Sequence, residues 1–105
     1  NDPVKYPQDN FENMVQHAKE RNFNFKYLHD QSQETAREYG GLVTPHFFVF
    51  DKNRDLVYQG RLDNNWKEAG KATKAELKDA LERLSKGLQA RVQVTPVIGC
   101  SIKWK

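Results

Sequence analysis

Residues 39–51, with the sequence YGGLVTPHFFVFD, place a Thr-Pro dipeptide immediately before a strand. Residues 46–50 are rich in aromatic and β-branched side chains, which favour a strand. The polar segment 51–55 predicts a turn, and a second strand follows at 56–58. Because the turn is so short, the two strands are predicted to be antiparallel neighbours. Pro45 lacks a backbone donor, so it indicates a strand-entry loop that includes residues 41–44.

The sequence before this stretch predicts a helix, a strand and a second helix. Asp9 followed by Glu12 resembles a capping box. The helix that it begins has one apolar face, predicted to be buried, formed by Phe11, Met14, Val15 and Ala18. Residues 23–30 alternate well enough to predict a short strand. Its buried side chains are predicted to be among Phe25, Tyr27 and Leu28. Ser32 is the predicted N-cap of the short second helix, and Gly40 ends it in a left-handed conformation.

The sequence after residue 58 predicts a loop, a helix and a tail. Residues 63–72 show no periodicity and are predicted to form the loop. Thr73 and Glu76 form a predicted capping box, and Gly87 ends the helix. The core face of this helix is predicted to consist of Leu77, Ala80, Leu81 and Leu84. Residues 88–105 are predicted to form an extended tail, so the element order is α, β, α, β, β, α, tail.

Composition and charge restrict the class of protein. The 105 residues fit one domain, and 37% apolar residues allow a modest core. The net charge of +3 is spread along the chain, so neither a nucleic-acid partner nor a membrane partner is predicted. Residues 1–10 lack the basic and apolar regions of a signal peptide. With one cysteine no intrachain disulfide can form, which excludes a small disulfide-stapled secreted scaffold and favours a cytoplasmic location.

Several segments together resemble the C-terminal half of a thioredoxin-like protein. They are YGGLVTPHFFVFD, LVYQGRLD, KAELKDALERLSKG and GCSIKW. The resemblance is to the redoxin group, related to the alkyl hydroperoxide reductase and thiol-specific antioxidant family. The opening NDPVKYPQDNFENM resembles the segment after the second central strand of that group. The implied fold is α/β, a central mixed sheet flanked by helices without the N-terminal strands and redox helix, with residues 1–105 as one partial domain.

The resemblance also implies a site. Thr44, Pro45 and His46 match the substrate-side loop, in which the Thr-Pro peptide is cis. The catalytic cysteines of such proteins lie in the N-terminal half, which has no counterpart in this chain. Val43 stands where some relatives carry cysteine, and His46 stands where an acidic residue is common. The parent protein is expected to be a thiol-disulfide oxidoreductase or a peroxiredoxin-like enzyme acting on thiol, disulfide or peroxide substrates, and this chain alone is expected to be redox-inactive.

Without the resemblance, the same residues favour simpler roles. Spacing alone favours a Pro45 that only rigidifies a turn. Cys100 is a candidate accessory thiol, but because free cysteines are often buried and inert we favour a small apolar tail residue. The spacing of His17, His29 and His46 matches no metal pattern, so neither a metal nor a cofactor is predicted. Surface or supporting roles are favoured for these histidines, and His46 alone merits a test.

Three further expectations concern partners. A non-catalytic peptide- or protein-binding module is the alternative function, using the Thr-Pro loop and an aromatic surface around Phe47, Phe48 and Trp66. Nucleic-acid binding is a third possibility, which rests on net charge alone. A domain without its leading strands exposes an apolar sheet edge, so we expect self-association.

Overall fold

A computed structural model of the chain describes residues 1–65, 67–68 and 70–105. It contains both helices and strands, in agreement with the predicted α/β class. A 3-10 helix at Pro7–Asp9 precedes α1 (Phe11–Glu20), α2 (Glu34–Glu38), β1 (Val43–Thr44), β2 (Phe47–Phe50), β3 (Leu56–Gly60), α3 (Glu76–Ser85) and β4 (Cys100–Ser101). The residues form two compact units, a first unit of Asn1–Gly40 with Ile102–Lys105 and a second unit of Gly41–Ser101. Within the described ranges, no helix is long and apolar enough to cross a membrane.

Helix α1 is capped by Asn10, so the predicted cap at Asp9 is wrong. The Asn10 side chain accepts a hydrogen bond of 2.8 Å from the backbone nitrogen of Asn13. Asn10 has the extended backbone of an N-cap residue, whereas Asp9 lies inside the preceding 3-10 helix and cannot take that conformation. The Asp9 carboxylate instead accepts a hydrogen bond of 2.7 Å from the side-chain amide of Asn1.

The predicted buried face of α1 is also wrong, since none of its residues is buried. Phe11 is 52% exposed and Val15 is 38% exposed. The reason lies in residues 23–30, which were predicted to form a strand and are assigned to no helix or strand. Without a paired strand there is no sheet surface in the first unit to cover the helix. The Phe11 ring instead stacks on His29, with a centroid distance of 5.4 Å.

Most of the apolar side chains of residues 23–30 are exposed. Phe25, Tyr27 and Leu28, the residues predicted to be buried, are 61%, 44% and 77% exposed. Phe23 packs on Phe25 and Tyr27 at centroid distances of 4.7 and 5.2 Å. The segment therefore forms a local aromatic cluster and no sheet.

Helix α2 ends as predicted, with Gly40 at a φ of 75°. Its N-cap is Gln33 and not Ser32, although the Ser32 hydroxyl accepts a hydrogen bond of 3.2 Å from the backbone nitrogen of Glu34. The buried Gln33 amide donates to the carbonyl of Lys103 at 3.0 Å and accepts from the backbone nitrogen of Lys105 at 2.8 Å. This amide anchors the end of the tail in the first unit.

The second unit contains the predicted hairpin, because β2 and β3 pair antiparallel with Phe47 opposite Gly60. In the turn, Asp51 Oδ1 accepts hydrogen bonds from the backbone nitrogens of Asn53 (2.8 Å) and Asp55 (3.0 Å). The turn role predicted for Asp51 is therefore confirmed.

The sheet organisation differs from the prediction. Val43–Thr44, predicted to be a loop, pairs antiparallel with Cys100–Ser101 of the tail. Among the described residues the strands form two two-stranded antiparallel sheets, and the only parallel pairing is a bridge between Gln59 and Val94. The described residues contain no central mixed sheet of the expected kind, because residues 23–30 form no strand pairing with them.

Helix α3 supplies most of the core. Leu77 and Ala80 are buried as predicted and pack with the fully buried Tyr58, whereas Leu81 is 47% exposed. Gly87, at a φ of 73°, ends the helix as predicted. The capping box predicted from Thr73 and Glu76 is wrong. Ala75 is the N-cap, and neither predicted capping side chain bonds there.

The two predicted capping residues have other partners. Thr73 pairs with the Asn64 side chain through bonds of 2.7 and 2.9 Å. The Glu76 carboxylate lies against the Arg61 guanidinium, with Oε1 2.6 Å from the terminal nitrogen. These contacts leave Ala75, which has no polar side chain, at the helix start.

Candidate functional site

The Thr44–Pro45–His46 loop connects β1 to β2 in the second unit. The Thr44–Pro45 peptide bond is cis, the geometry that the resemblance implies. Thr44 and Pro45 are exposed, while His46 is half-buried. The Thr44 hydroxyl donates a hydrogen bond of 3.3 Å to the carbonyl of Cys100. Strand β4 therefore holds one side of the loop.

Gly99 allows the tail to pack closely against this loop. A Cβ atom at Gly99 would overlap the carbonyl oxygen of Thr44 and lie 3.0 Å from its carbonyl carbon. Only a residue without a side chain permits this spacing. The tail thus fits directly against the backbone of the Thr-Pro loop.

Cys100 is exposed, unlike the buried free cysteines on which the preference for a small apolar tail residue was based. It belongs to a two-residue strand that has one partner strand and lies directly opposite Thr44. Opposite residues in an antiparallel pair have Cβ atoms about 5 Å apart. The fold therefore brings the chain's single thiol beside the Thr-Pro loop, which the sequence did not predict.

His46 combines burial with an unsatisfied ring nitrogen. Its ring stacks on Phe48 with a centroid distance of 4.3 Å. Nδ1 is buried and has no hydrogen-bond partner among the residues that the structure describes. Burial lowers the pKa of His46 below its ordinary value of 6.5. The imidazole is therefore neutral at neutral pH, and a neutral imidazole can accept a proton.

The other two histidines do not join this site. His17 lies on α1 with its ring 5.6 Å from that of Phe23, and His29 stacks on Phe11. Both are exposed residues of the first unit. In the described part of the chain, no group of three or more histidine, cysteine, aspartate or glutamate side chains is placed to hold a metal ion.

A small cavity of about 170 Å³ lies beside Pro45. It is lined by three apolar and four polar residues: Pro45, Leu62, Ile98, Arg61, Asp63, Asn64 and Asn65. No sequence motif marks Arg61 or Ile98 as a site residue, and only the folded tail brings residue 98 beside Pro45. A larger cleft of about 790 Å³ lies between the β2–β3 turn and the end of α3, and no residue of the Thr-Pro loop lines it.

Arg61 is held in place by Glu76 and by the core. Its guanidinium makes three hydrogen bonds of 2.6 to 3.1 Å to the Glu76 carboxylate. These bonds lower the pKa of Glu76 and raise that of Arg61. Its backbone nitrogen donates to the Thr95 hydroxyl at 2.9 Å, and its carbonyl accepts from the Tyr58 hydroxyl at 2.6 Å. One wall of the cavity is therefore fixed by partly buried hydrogen bonds.

The family model for Redoxin matches residues 4–81 of this sequence. The chain belongs to the Redoxin family. This match confirms the resemblance found in the sequence motifs at the level of the family. It includes the Thr44–Pro45–His46 loop, Arg61 and Glu76, whereas Cys100 lies beyond it.

Two solved structures are similar to this redoxin chain over its whole length. A hypothetical protein from Sinorhizobium meliloti 1021 has a TM-score of 0.90 and 38% sequence identity. An uncharacterized conserved protein from Geobacillus kaustophilus has a TM-score of 0.90 and 40% identity. Each alignment covers 100% of this chain, but only 58% and 56% of the respective relative. The chain thus spans less than two thirds of either protein. A comparison with curated proteins finds no match.

Proposed function

We propose that this chain is the C-terminal portion of a thioredoxin-like domain in a thiol-disulfide oxidoreductase or peroxiredoxin-like protein. Thr44, Pro45 and His46 form the substrate-side wall of its redox site. The observation that carries the proposal is the exposed Thr-Pro loop, which lies beside a neutral histidine and a cavity in a member of the Redoxin family. The substrate is a disulfide, thiol or peroxide bound by the whole protein.

The proposed reaction needs both this wall, which orients the substrate, and a catalytic cysteine from outside the chain. A thiolate attacks a disulfide sulfur, and a second thiol then resolves the mixed disulfide. The loop orients the sulfur or peroxide oxygen, and the neutral His46 imidazole accepts the proton that the attacking thiol releases when it becomes a thiolate. Cys100, the single thiol, has no second cysteine in the chain to regenerate it. The chain alone is therefore redox-inactive, and an unpaired thiol fits a reducing compartment such as the cytoplasm.

A turnover assay tests the inactivity of the chain. We expect the 105-residue protein to reduce no insulin disulfide and to consume no peroxide above the rate of dithiothreitol alone. Cys100→Ser should behave identically. Turnover by the natural chain that disappears in Cys100→Ser contradicts the proposal, because the chain contains no other thiol.

A binding measurement tests the wall independently of turnover. A short disulfide-containing peptide titrated into labelled protein should shift the amide resonances of Thr44 and His46. His46→Ala should weaken binding several-fold by removing the ring against Phe48, while Asn53→Ala in the β2–β3 turn should not. If the shifts occur elsewhere and His46→Ala has no effect, the loop is not the substrate wall.

A non-catalytic peptide-binding module is the second candidate, favoured by the single cysteine. Phe47 and Phe48 are half-buried, so they offer less aromatic surface than the sequence suggested. Trp66, the third residue of that surface, lies outside the described residues. Binding of the reduced, dithiol form of the peptide as tightly as the disulfide form, unchanged by alkylation of Cys100, supports this second function.

A further inference from the structure

Thr95 is a polar residue of the tail that is only 7% exposed. The tail backbone on either side of Val94 pairs with Gln59 of β3. The Gln59 nitrogen donates to the carbonyl of Gln93 at 2.9 Å, and the Thr95 nitrogen donates to the carbonyl of Gln59 at 3.1 Å. A Cβ atom on the next residue of the strand, Gly60, would overlap the Thr95 hydroxyl. The absence of a side chain at Gly60 therefore leaves the space that Thr95 occupies.

The Thr95 hydroxyl belongs to a closed set of three hydrogen bonds, here called the Thr95 network. The Arg61 backbone nitrogen donates to Thr95 Oγ1 at 2.9 Å. Thr95 Oγ1 lies 3.0 Å from the Tyr58 hydroxyl oxygen, and the Tyr58 hydroxyl donates to the Arg61 carbonyl at 2.6 Å. Both backbone polar groups of Arg61 are thus held by side chains.

The direction of each hydrogen bond in the Thr95 network follows from the chemistry of its members. A carbonyl oxygen can only accept, so the single hydroxyl proton of Tyr58 goes to Arg61. Thr95 must then donate the bond between the two hydroxyls, and it accepts in turn from the Arg61 nitrogen. Burial raises the pKa of Tyr58 above its ordinary value of 10.0, so the phenol keeps the proton that the network needs. The network therefore has no spare donor.

The Thr95 network fixes a residue that lines the cavity beside Pro45. Arg61 lines that cavity together with the two residues that follow it, Leu62 and Asp63. The guanidinium of Arg61 is held by the Glu76 carboxylate. Because the network holds the backbone of the same residue, Arg61 is fixed at both its main chain and its side chain. The cavity wall formed by residues 61–63 therefore begins at a fixed point.

We propose that Thr95 is a positioning residue of the redox site, which acts through the Thr95 network to hold Arg61 as one wall of the cavity beside Pro45. This inference rests on the proposed function, in which the substrate binds at the Thr-Pro loop. It gives the tail a part in the site, although Thr95 lies beyond the residues 4–81 that the family model matches. Without the Thr95 hydroxyl, the Arg61 nitrogen and the Tyr58 oxygen each lose a partner, and the wall is free to shift.

Titration of the disulfide-containing peptide into two Thr95 variants tests the proposal. Thr95→Val keeps the shape of the side chain and removes its hydroxyl, whereas Thr95→Ser keeps the hydroxyl. We expect Thr95→Val to raise the dissociation constant roughly five-fold or more, and Thr95→Ser to change it by less than about two-fold. The Arg61 amide proton should exchange with solvent faster in Thr95→Val than in the natural chain or Thr95→Ser. Circular dichroism checks that each variant folds.

Two further variants separate the position of the wall from the stability of the core. Ala80 packs in the same core as Tyr58 but has no polar side chain, so Ala80→Gly should lower the unfolding temperature and leave the dissociation constant unchanged. Tyr58→Phe opens the Thr95 network at another bond. Because the network acts as a unit, Thr95→Val combined with Tyr58→Phe should raise the dissociation constant no further than the larger of the two single effects.

Failure of the positioning role and failure of the proposed function give different results. If the peptide shifts neither Thr44 nor His46 in the natural chain, the proposed function fails and the positioning role fails with it. If the natural chain binds there, three results overturn the positioning role alone. They are equal binding by Thr95→Val and Thr95→Ser, equal weakening by Ala80→Gly and Thr95→Val, and effects of Thr95→Val and Tyr58→Phe that multiply in the double variant.

Discussion

The role of Glu76 in the folded chain differs from the role that the sequence predicts. The spacing to Thr73 predicts a helix cap, but the carboxylate bonds to Arg61, whose backbone contacts the buried Tyr58 and Thr95. The side chain of Glu76 is only 8% exposed, so its charge depends on the guanidinium. The pair belongs to the wall beside Pro45, since Arg61 lines that cavity.

Replacing Glu76 by Gln should destabilise the protein and remove part of its pH dependence. The folded pKa of Glu76 lies below its ordinary value of 4.5 because Arg61 donates hydrogen bonds to the carboxylate. The stabilisation is therefore complete above about pH 4.5 and is lost as the pH falls through the lower folded value. We expect Glu76→Gln to lower the free energy of unfolding by about 1–3 kcal/mol at pH 7, with a smaller difference at about pH 3.

Glu82→Gln is the control for this prediction. Glu82 lies on the same helix, 61% exposed, with its carboxylate 4.0 Å from the Lys78 ammonium. Exposed ion pairs contribute little to stability. Glu82→Gln should therefore change the free energy of unfolding by less than about 0.5 kcal/mol at either pH. Equal losses in the two variants at neutral pH, measured by urea unfolding, are incompatible with a special role for Glu76.

Gly99→Ala should disturb the Thr-Pro loop without removing a polar group. The added methyl overlaps the Thr44 carbonyl oxygen, so either the loop or the tail must move. We expect a loss of about 1–3 kcal/mol in the free energy of unfolding, as for other overpacked sites, with amide shifts concentrated at Thr44 and His46. Cys100→Ala, which adds no atom near Thr44, should leave those resonances in place. Unchanged shifts in Gly99→Ala contradict the close approach.

At the scale of elements, the sequence predicted the features that depend only on residues close together in the chain. The β2–β3 hairpin and the glycine ends of α2 and α3 follow from turn chemistry and from the left-handed conformation. β1 and β4 were missed because two-residue strands have no periodicity, and their pairing joins positions 43–44 with 100–101. Residues 23–30 have a strand pattern, but a strand also needs a partner, which no pattern within the segment reports.

The N-terminus of α1 offers a test between the cap predicted from the sequence and the cap found in the structure. Asn10→Ala removes the acceptor for the backbone nitrogen of Asn13 and should cost about 1 kcal/mol of the free energy of unfolding. Asp9→Ala removes only an exposed bond to the Asn1 side chain and should cost less than half as much. Thermal unfolding followed by circular dichroism distinguishes the two, and a larger loss in Asp9→Ala reverses the assignment.

At the scale of the whole molecule, the sequence predicted the family and the loop but not what surrounds the loop. Thr44, Pro45 and His46 are contiguous, so a motif can identify them. Cys100, Ile98 and Arg61 are brought to the loop by the folded tail and by β3, and their spacing in the sequence carries no such information. The unsatisfied Nδ1 of His46 likewise depends on burial by the surrounding fold.

The small core leads to a last prediction, about how the whole chain unfolds. Among the described residues the buried apolar side chains are Tyr58, Leu77 and Ala80, so unfolding exposes little new apolar surface. The dependence of unfolding free energy on urea scales with that surface, and we expect a slope of about 1 kcal/mol per molar, the lower end for small proteins. The measurement uses the natural chain at low micromolar concentration. A slope above about 2 kcal/mol per molar, as for a compact domain with a large core, contradicts this account.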